Sequence, residues 1–165
     1  MGFPTLNSYE ESLKIPSSAV EELRNKIIEI INKSPELYYE KDVERVKSNN
    51  WWISRFLNQH KSNSDKALEY LDKALKWRKS FGVLEINEKD FPREVFQTAP
   101  LILYGKDVNG SQLLILRAKV TRKIKVWVPM AQKYFINLVE KADSMDKGKG
   151  WYNFDKGANV SLLII

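Results

Sequence analysis

The hydrophobic period of the chain changes near Pro100, and this change constrains the fold more than any other feature. Before it, apolar residues recur at the i, i+3, i+4 and i+7 spacing of amphipathic helices. After it come two short apolar runs of strand-like length, Leu101–Tyr104 and Gln112–Ala118. The change predicts an α/β chain in which a helical part precedes a small sheet.

Four helices are predicted in the first eighty residues, over about 18–32, 42–47, 51–57 and 64–81. Polar amino-terminal caps are predicted for three of these helices and a glycine stop for the last: Ser18 with Glu21, Asn49 or Asn50, Ser62 or Ser64, and Gly82. Short links join the helices, so we expect them to pack on one another as a helical lobe.

The region after Pro100 reads as a partial sheet with a covering helix. Asn109-Gly110 lies between the two apolar runs and predicts a hairpin. A regular helix follows over about 129–146, and Trp151–Phe154 is a candidate third strand. The predicted organisation is therefore a lead-in over 1–17, a helical lobe over 18–99 and a partial α/β lobe over 100–165.

The net charge of +6 is concentrated in the second part of the chain. Residues 1–100 carry 16 basic and 16 acidic residues, whereas residues 101–165 carry 11 and 5. The densest basic segment contains Arg117, Lys119, Arg122, Lys123 and Lys125. Such a segment could bind an anionic membrane surface, or it could be an ordinary solvated loop. Nucleic-acid binding is a minor alternative, because no recognised nucleic-acid motif accompanies the charge.

The residue pattern does not favour an enzyme. The chain has one histidine, His60, in a polar context that indicates an exposed loop residue, and it has no cysteine. It contains neither a phosphate-binding glycine loop nor a dinucleotide-binding fingerprint. Two groups of carboxylates are interpreted as solvated surface: Glu85, Glu88 and Asp90, and Asp143 and Asp146. We expect no catalytic residue, cofactor or metal.

Several motifs, read in order, resemble the CRAL-TRIO lipid-binding family. They lie in the segments Asp42–Arg45, Trp52–Leu57, Asp65–Leu68, Trp77–Val83, Leu103–Gly110, Lys141–Asp143, Gly150–Trp151 and Phe154–Asp155. The resemblance covers about residues 18 to 155, and its specificity comes from the order and spacing of motifs that are individually weak.

The resemblance implies a helical lobe followed by a mixed sheet whose apolar floor holds a phospholipid or other hydrophobic ligand. It implies lipid binding, which leaves transfer and sensing open as the task, in the cytoplasm or at the periphery of the endoplasmic reticulum membrane. Family domains continue through further strands and a gate helix, so we expect a truncated domain with an incomplete pocket.

The expected ligand face is the sheet surface opposite the covering helix. Its predicted residues are Leu101, Leu103, Leu114 and Leu116, although a shift of one residue in strand phase would exchange the faces. Plain core packing is an equally good interpretation of each leucine. The alternative function is an interaction domain that docks a membrane or a protein without enclosing a ligand. An exposed sheet face would also favour self-association.

Overall fold

The computed structural model describes residues 15–106, 112–121, 127–145 and 160–164. The elements formed by these residues are α1 Ser17–Lys33, α2 Glu40–Ser48, α3 Asn50–Gln59, α4 Ser64–Phe81, α5 Arg93–Thr98, β1 Leu101–Lys106, β2 Gln112–Leu116, α6 Ala118–Thr121, α7 Trp127–Met145 and β3 Val160–Ile164. Short 3₁₀ turns lie at Pro35–Leu37, Val83–Glu85 and Glu88–Asp90. The chain divides into two compact units, with the boundary after Leu84.

The first unit contains the four predicted helices, α1 to α4, around one apolar core. The apolar positions that recur every three or four residues face inward, as the amphipathic pattern requires. Its fully buried side chains include Leu23, Ile27, Val46, Ile53, Leu57, Leu71 and Leu75. The helical period of the sequence therefore predicted these elements correctly.

Two of the three predicted amino-terminal caps differ from those observed. Pro16 precedes α1 without a side-chain hydrogen bond, so the capping box of Ser18 and Glu21 is wrong. Asn63, rather than Ser62 or Ser64, caps α4 by accepting a hydrogen bond from the amide of Lys66 at 3.0 Å. Asn49 caps α3 as predicted, accepting from the amide of Trp52 at 2.9 Å.

The second unit contains a three-stranded sheet in the order β1–β2–β3. Strands β1 and β2 pair antiparallel, with Leu101 opposite Leu116 and Leu103 opposite Leu114. Strand β3 pairs with β2 in parallel. Parallel strands are joined by a long crossover connection and not by a tight turn, so no turn motif in the sequence predicted β3. The predicted combination of helices with a small sheet is confirmed.

The second core extends further toward the amino terminus than the sequence suggested. Phe91 and Val95, on the segment before β1, are buried in the same cluster as Leu101 and Leu114. Residues 85–99 therefore belong to the α/β unit, whereas the sequence assigned them to the helical lobe.

Helix α7 begins two residues before the predicted start at 129 and supplies Tyr134, Leu138 and Ala142 to this core. The predicted strand 112–118 ends at Leu116, because Ala118 already belongs to α6. The hairpin residues Asn109 and Gly110 and the candidate strand Trp151–Phe154 lie outside the described residues.

Candidate functional site

The face of the sheet that packs on α7 carries the four leucines predicted to bind a ligand. Leu101 and Leu114 are 3% and 1% exposed, and both lie in the buried cluster of the second unit. Leu103 and Leu116 are partly buried and pack against the same cluster. Neighbours on a pleated strand alternate between faces, so this register places all four on one face.

The expectation that these leucines lie opposite the covering helix is therefore wrong. Both alternating sets of the two strands are aliphatic, so the sequence could not show which set the helix covers. Tyr134 of α7 helps to define the covered face, because its hydroxyl donates a hydrogen bond to the carbonyl of Leu101 at 3.5 Å. Burial raises the pKa of this phenol, so it stays protonated and able to donate.

The opposite face of the sheet carries a second aliphatic set, which the sequence analysis did not select. Ile102 lies opposite Ile115 in the β1–β2 register, and Leu113 lies two residues from Ile115 on β2. All three side chains are half-buried. In the described part of the chain, none of the three aliphatics is in the buried cluster or among the side chains packed against it. We call Ile102, Leu113 and Ile115 the open sheet face.

Strand β3 extends the sheet beside the open sheet face. Ile115 pairs with Leu163, and Leu113 pairs with Ser161, along the parallel edge of β2. β2 is therefore the central strand of the sheet, with a hydrogen-bonded neighbour on each side. A central position gives Leu113 and Ile115 strand backbone on both sides, which fits their half-buried state.

The predicted basic segment is only partly described by the structure. The guanidinium of Arg117 donates a hydrogen bond to the carbonyl of Thr98 at 2.9 Å, so this half-buried side chain ties the strand end to α5. Lys119 on α6 is exposed. Arg122, Lys123 and Lys125 lie outside the described residues. The membrane-binding role of the segment stays a prediction.

His60 is not the exposed loop residue that its sequence context indicated. It follows α3, is half-buried, and packs at a tilted angle against the ring of Tyr70 with 4.4 Å between the ring centroids. Its Nε2 atom is buried without a hydrogen-bond partner among the described residues. Among the described residues, no hydrogen bond joins His60 to a serine or a carboxylate. Its environment is that of a packed aromatic ring.

The carboxylates of the connector before β1 have local structural partners. Glu88 forms an ion pair with Lys141 of α7. Asp90 accepts a hydrogen bond from the amide of Asn87 at 2.8 Å and completes a capping box. Across the residues that the structure describes, no group of three acidic or histidine side chains could hold a metal ion.

None of the described helices combines the length and the apolar character that crossing a bilayer requires. No family model matches the chain, and no solved structure matches it.

Proposed function

We propose that the chain binds a phospholipid or other hydrophobic molecule on the open sheet face. The observation that carries the proposal is the position of Ile102, Leu113 and Ile115. They form an aliphatic patch opposite the face that packs on α7, outside the buried cluster of the described residues. Covering an apolar surface of this kind with a hydrocarbon removes it from water and lowers the free energy of the system.

The dimensions of the patch suit a hydrocarbon chain. Residues two apart on a strand are separated by about 7 Å, and opposite residues on adjacent strands by about 5 Å. An acyl chain laid along β2 would therefore contact Leu113 and Ile115 in succession, with Ile102 beside it. Each methylene buried in this way contributes roughly 0.8 kcal/mol, so about six of them would contribute roughly 5 kcal/mol, which corresponds to binding near the millimolar range.

The CRAL-TRIO resemblance supports the same face. The motifs run from the helical lobe to the first strands in the order that the family shows, and their early part is most similar to the motile sperm domain-containing members. In that family an apolar sheet floor receives the lipid. In this proposal the ligand is held by apolar contact, and no covalent bond is made or broken.

Mass spectrometry of organic extracts from the purified protein tests the proposal. We expect a co-purified lipid, and Ile115→Asp should reduce its amount about tenfold or more, because the new carboxylate would lose its hydration when an acyl chain covers it. Leu37→Asp is the matched control, since Leu37 is an aliphatic residue of the other unit and is already 43% exposed. This variant should keep the lipid.

A folded protein whose extract is free of lipid would contradict the proposal. It would favour the alternative, an interaction domain that docks a membrane or a protein without enclosing a ligand. Size-exclusion chromatography of the same samples would show whether the open sheet face is instead covered by a second copy of the chain.

A further inference from the structure

Helix α4 carries a stripe of lysine and aromatic side chains on a face separate from its core face. Its members are Lys66, Tyr70, Lys73, Trp77 and Phe81. Spacings of four, three, four and four residues place them along one line of the helix. The core face of the same helix carries Ala67, Leu71 and Leu75, all fully buried. We call the five residues the α4 stripe.

Two aromatic members of the α4 stripe, Tyr70 and Trp77, are exposed, whereas Phe81 is half-buried. Tyr70 and Trp77 are 50% and 43% exposed, which is unusual for side chains of this size. Trp77 stacks on Phe81 with 5.1 Å between the ring centroids. The ammonium of Lys73 lies 5.8 Å from the centroid of Tyr70. The rings are thus supported in place while a large apolar area stays in water.

We propose that the α4 stripe docks the protein on the surface of an anionic phospholipid bilayer. Tryptophan, tyrosine and lysine are the side chains that suit the bilayer interface, where an apolar body meets polar headgroups. The stripe contains two lysines and no acidic residue. Cations within the headgroup layer are attracted to anionic lipids, so the charge of the stripe complements that surface.

Glu69 borders the α4 stripe and does not cancel the positive charge of its two lysines. It pairs with Lys73 at 2.5 Å, and the hydrogen bond raises the pKa of that lysine, so the ammonium stays charged at neutral pH. The hydrogen bond from Lys73 lowers the pKa of Glu69, and Lys66 also lowers it through Coulombic attraction, so two lysines lie near one carboxylate. The remaining charge of the stripe is positive.

The ring contacts favour a bilayer over a single-stranded nucleic acid. Base stacking needs aromatic faces that are free to receive bases. Tyr70 already contacts the rings or charges of His60 and Lys73, and Trp77 contacts Phe81. Their exposed area is better suited to lying among lipid headgroups. The α4 stripe belongs to the helical unit, whereas the open sheet face belongs to the α/β unit. This inference therefore goes beyond the proposed function.

Vesicle binding of the full chain tests the inference. The probe is a set of vesicles of phosphatidylcholine alone or with about 30% phosphatidylserine, a proportion that gives a strongly negative surface. We expect co-sedimentation with the anionic vesicles, weakened by salt. Tyr70→Ser with Trp77→Ser should lower the partition coefficient about tenfold or more, because the apolar contribution is lost. Phe96→Ser is the matched control, since Phe96 is 44% exposed and lies in the other unit.

A second experiment measures the quenching of Trp77 fluorescence by the lipid and uses Trp77→Phe, which keeps an aromatic ring at this position. Anionic vesicles containing brominated phosphatidylcholine should quench part of the tryptophan fluorescence, and Trp77→Phe should lose that part while it still binds and keeps the helical circular dichroism. Absence of vesicle binding, equal binding by the serine pair, or unchanged quenching in Trp77→Phe would each overturn the inference. Tight binding to a single-stranded oligonucleotide, or self-association that the serine pair abolishes, would also overturn it.

Discussion

At the scale of single residues, the most consequential contact of the helical unit is a buried ion pair between α2 and α4. Asp42 is fully buried, and its carboxylate accepts hydrogen bonds from Nε and Nη2 of Arg78 at 2.6 and 3.1 Å. The Arg78 side chain is itself only 12% exposed. A carboxylate in this position is tolerated because the planar guanidinium matches its two oxygens.

Removing one partner of this pair should destabilise the helical unit strongly. We expect Asp42→Ala to lower the free energy of unfolding by about 3 kcal/mol or more, because it leaves a buried guanidinium without its counter-charge. The double change Asp42→Leu with Arg78→Met should recover much of that loss, since neither charge then remains buried. Urea denaturation followed by circular dichroism measures both.

The exposed pair Lys47–Glu44, at 2.9 Å, supplies the control for this experiment. Lys47→Ala should change the free energy of unfolding by no more than about 1 kcal/mol, because solvent screens exposed ion pairs. A loss of similar size from Asp42→Ala would mean that the buried pair contributes little beyond an exposed one.

At the scale of elements, the helices of the first unit depend on asparagine caps. Asn49 and Asn63 each satisfy one amide of the first turn that has no partner within its helix. The left-handed backbone of Gly82, at φ 76°, ends α4. Together these residues explain why α3 and α4 begin and stop where they do.

Changing the caps should have a measurable and selective effect. Asn49→Ala and Asn63→Ala should each lower the free energy of unfolding by about 1 kcal/mol, because an amide of the helix start loses its acceptor. Ser18→Ala should have almost no effect, since no side chain caps α1. Thermal or urea unfolding of the three variants gives the comparison, and equal losses in all three would show that the asparagines do not act as caps.

The same elements show what the sequence could and could not predict. Helices α1 to α4 and α7 were predictable because apolar residues repeat at the helical period along each of them. The cap of α4 was missed because Ser62, Asn63 and Ser64 are all good capping residues, and only the backbone geometry distinguishes them. The short helices α5 and α6 offer too few turns for a period to be recognised.

The sheet was less predictable than the helices. Its first two strands followed from the apolar runs flanking Asn109-Gly110, but their phase did not. Ile102 and Leu101 are both strongly apolar, so alternation alone assigns either one to the covered face. Tyr134 and Leu138 pack in one cluster with Leu101 and Leu114, and this packing determines which face of the sheet is covered. The sequence could not show it, because these residues are far apart in the chain.

At the scale of the whole molecule, the chain consists of two units with separate buried clusters. The helical unit has its own apolar core. In the described residues of the α/β unit, one aliphatic face of the sheet packs on α7, and the open sheet face is half-buried and outside the buried cluster. A surface of that kind favours association with another apolar body. We propose that a lipid is this partner, and we expect it to contact the open sheet face.

Photo-crosslinking tests this assignment most directly. The protein is incubated with vesicles containing a phospholipid that carries a diazirine on its acyl chain, separated from the vesicles by flotation, irradiated, digested and mapped by mass spectrometry. We expect adducts on Ile102, Leu113 or Ile115. A folded, vesicle-free protein that carries no adduct within residues 101–116 would contradict this assignment.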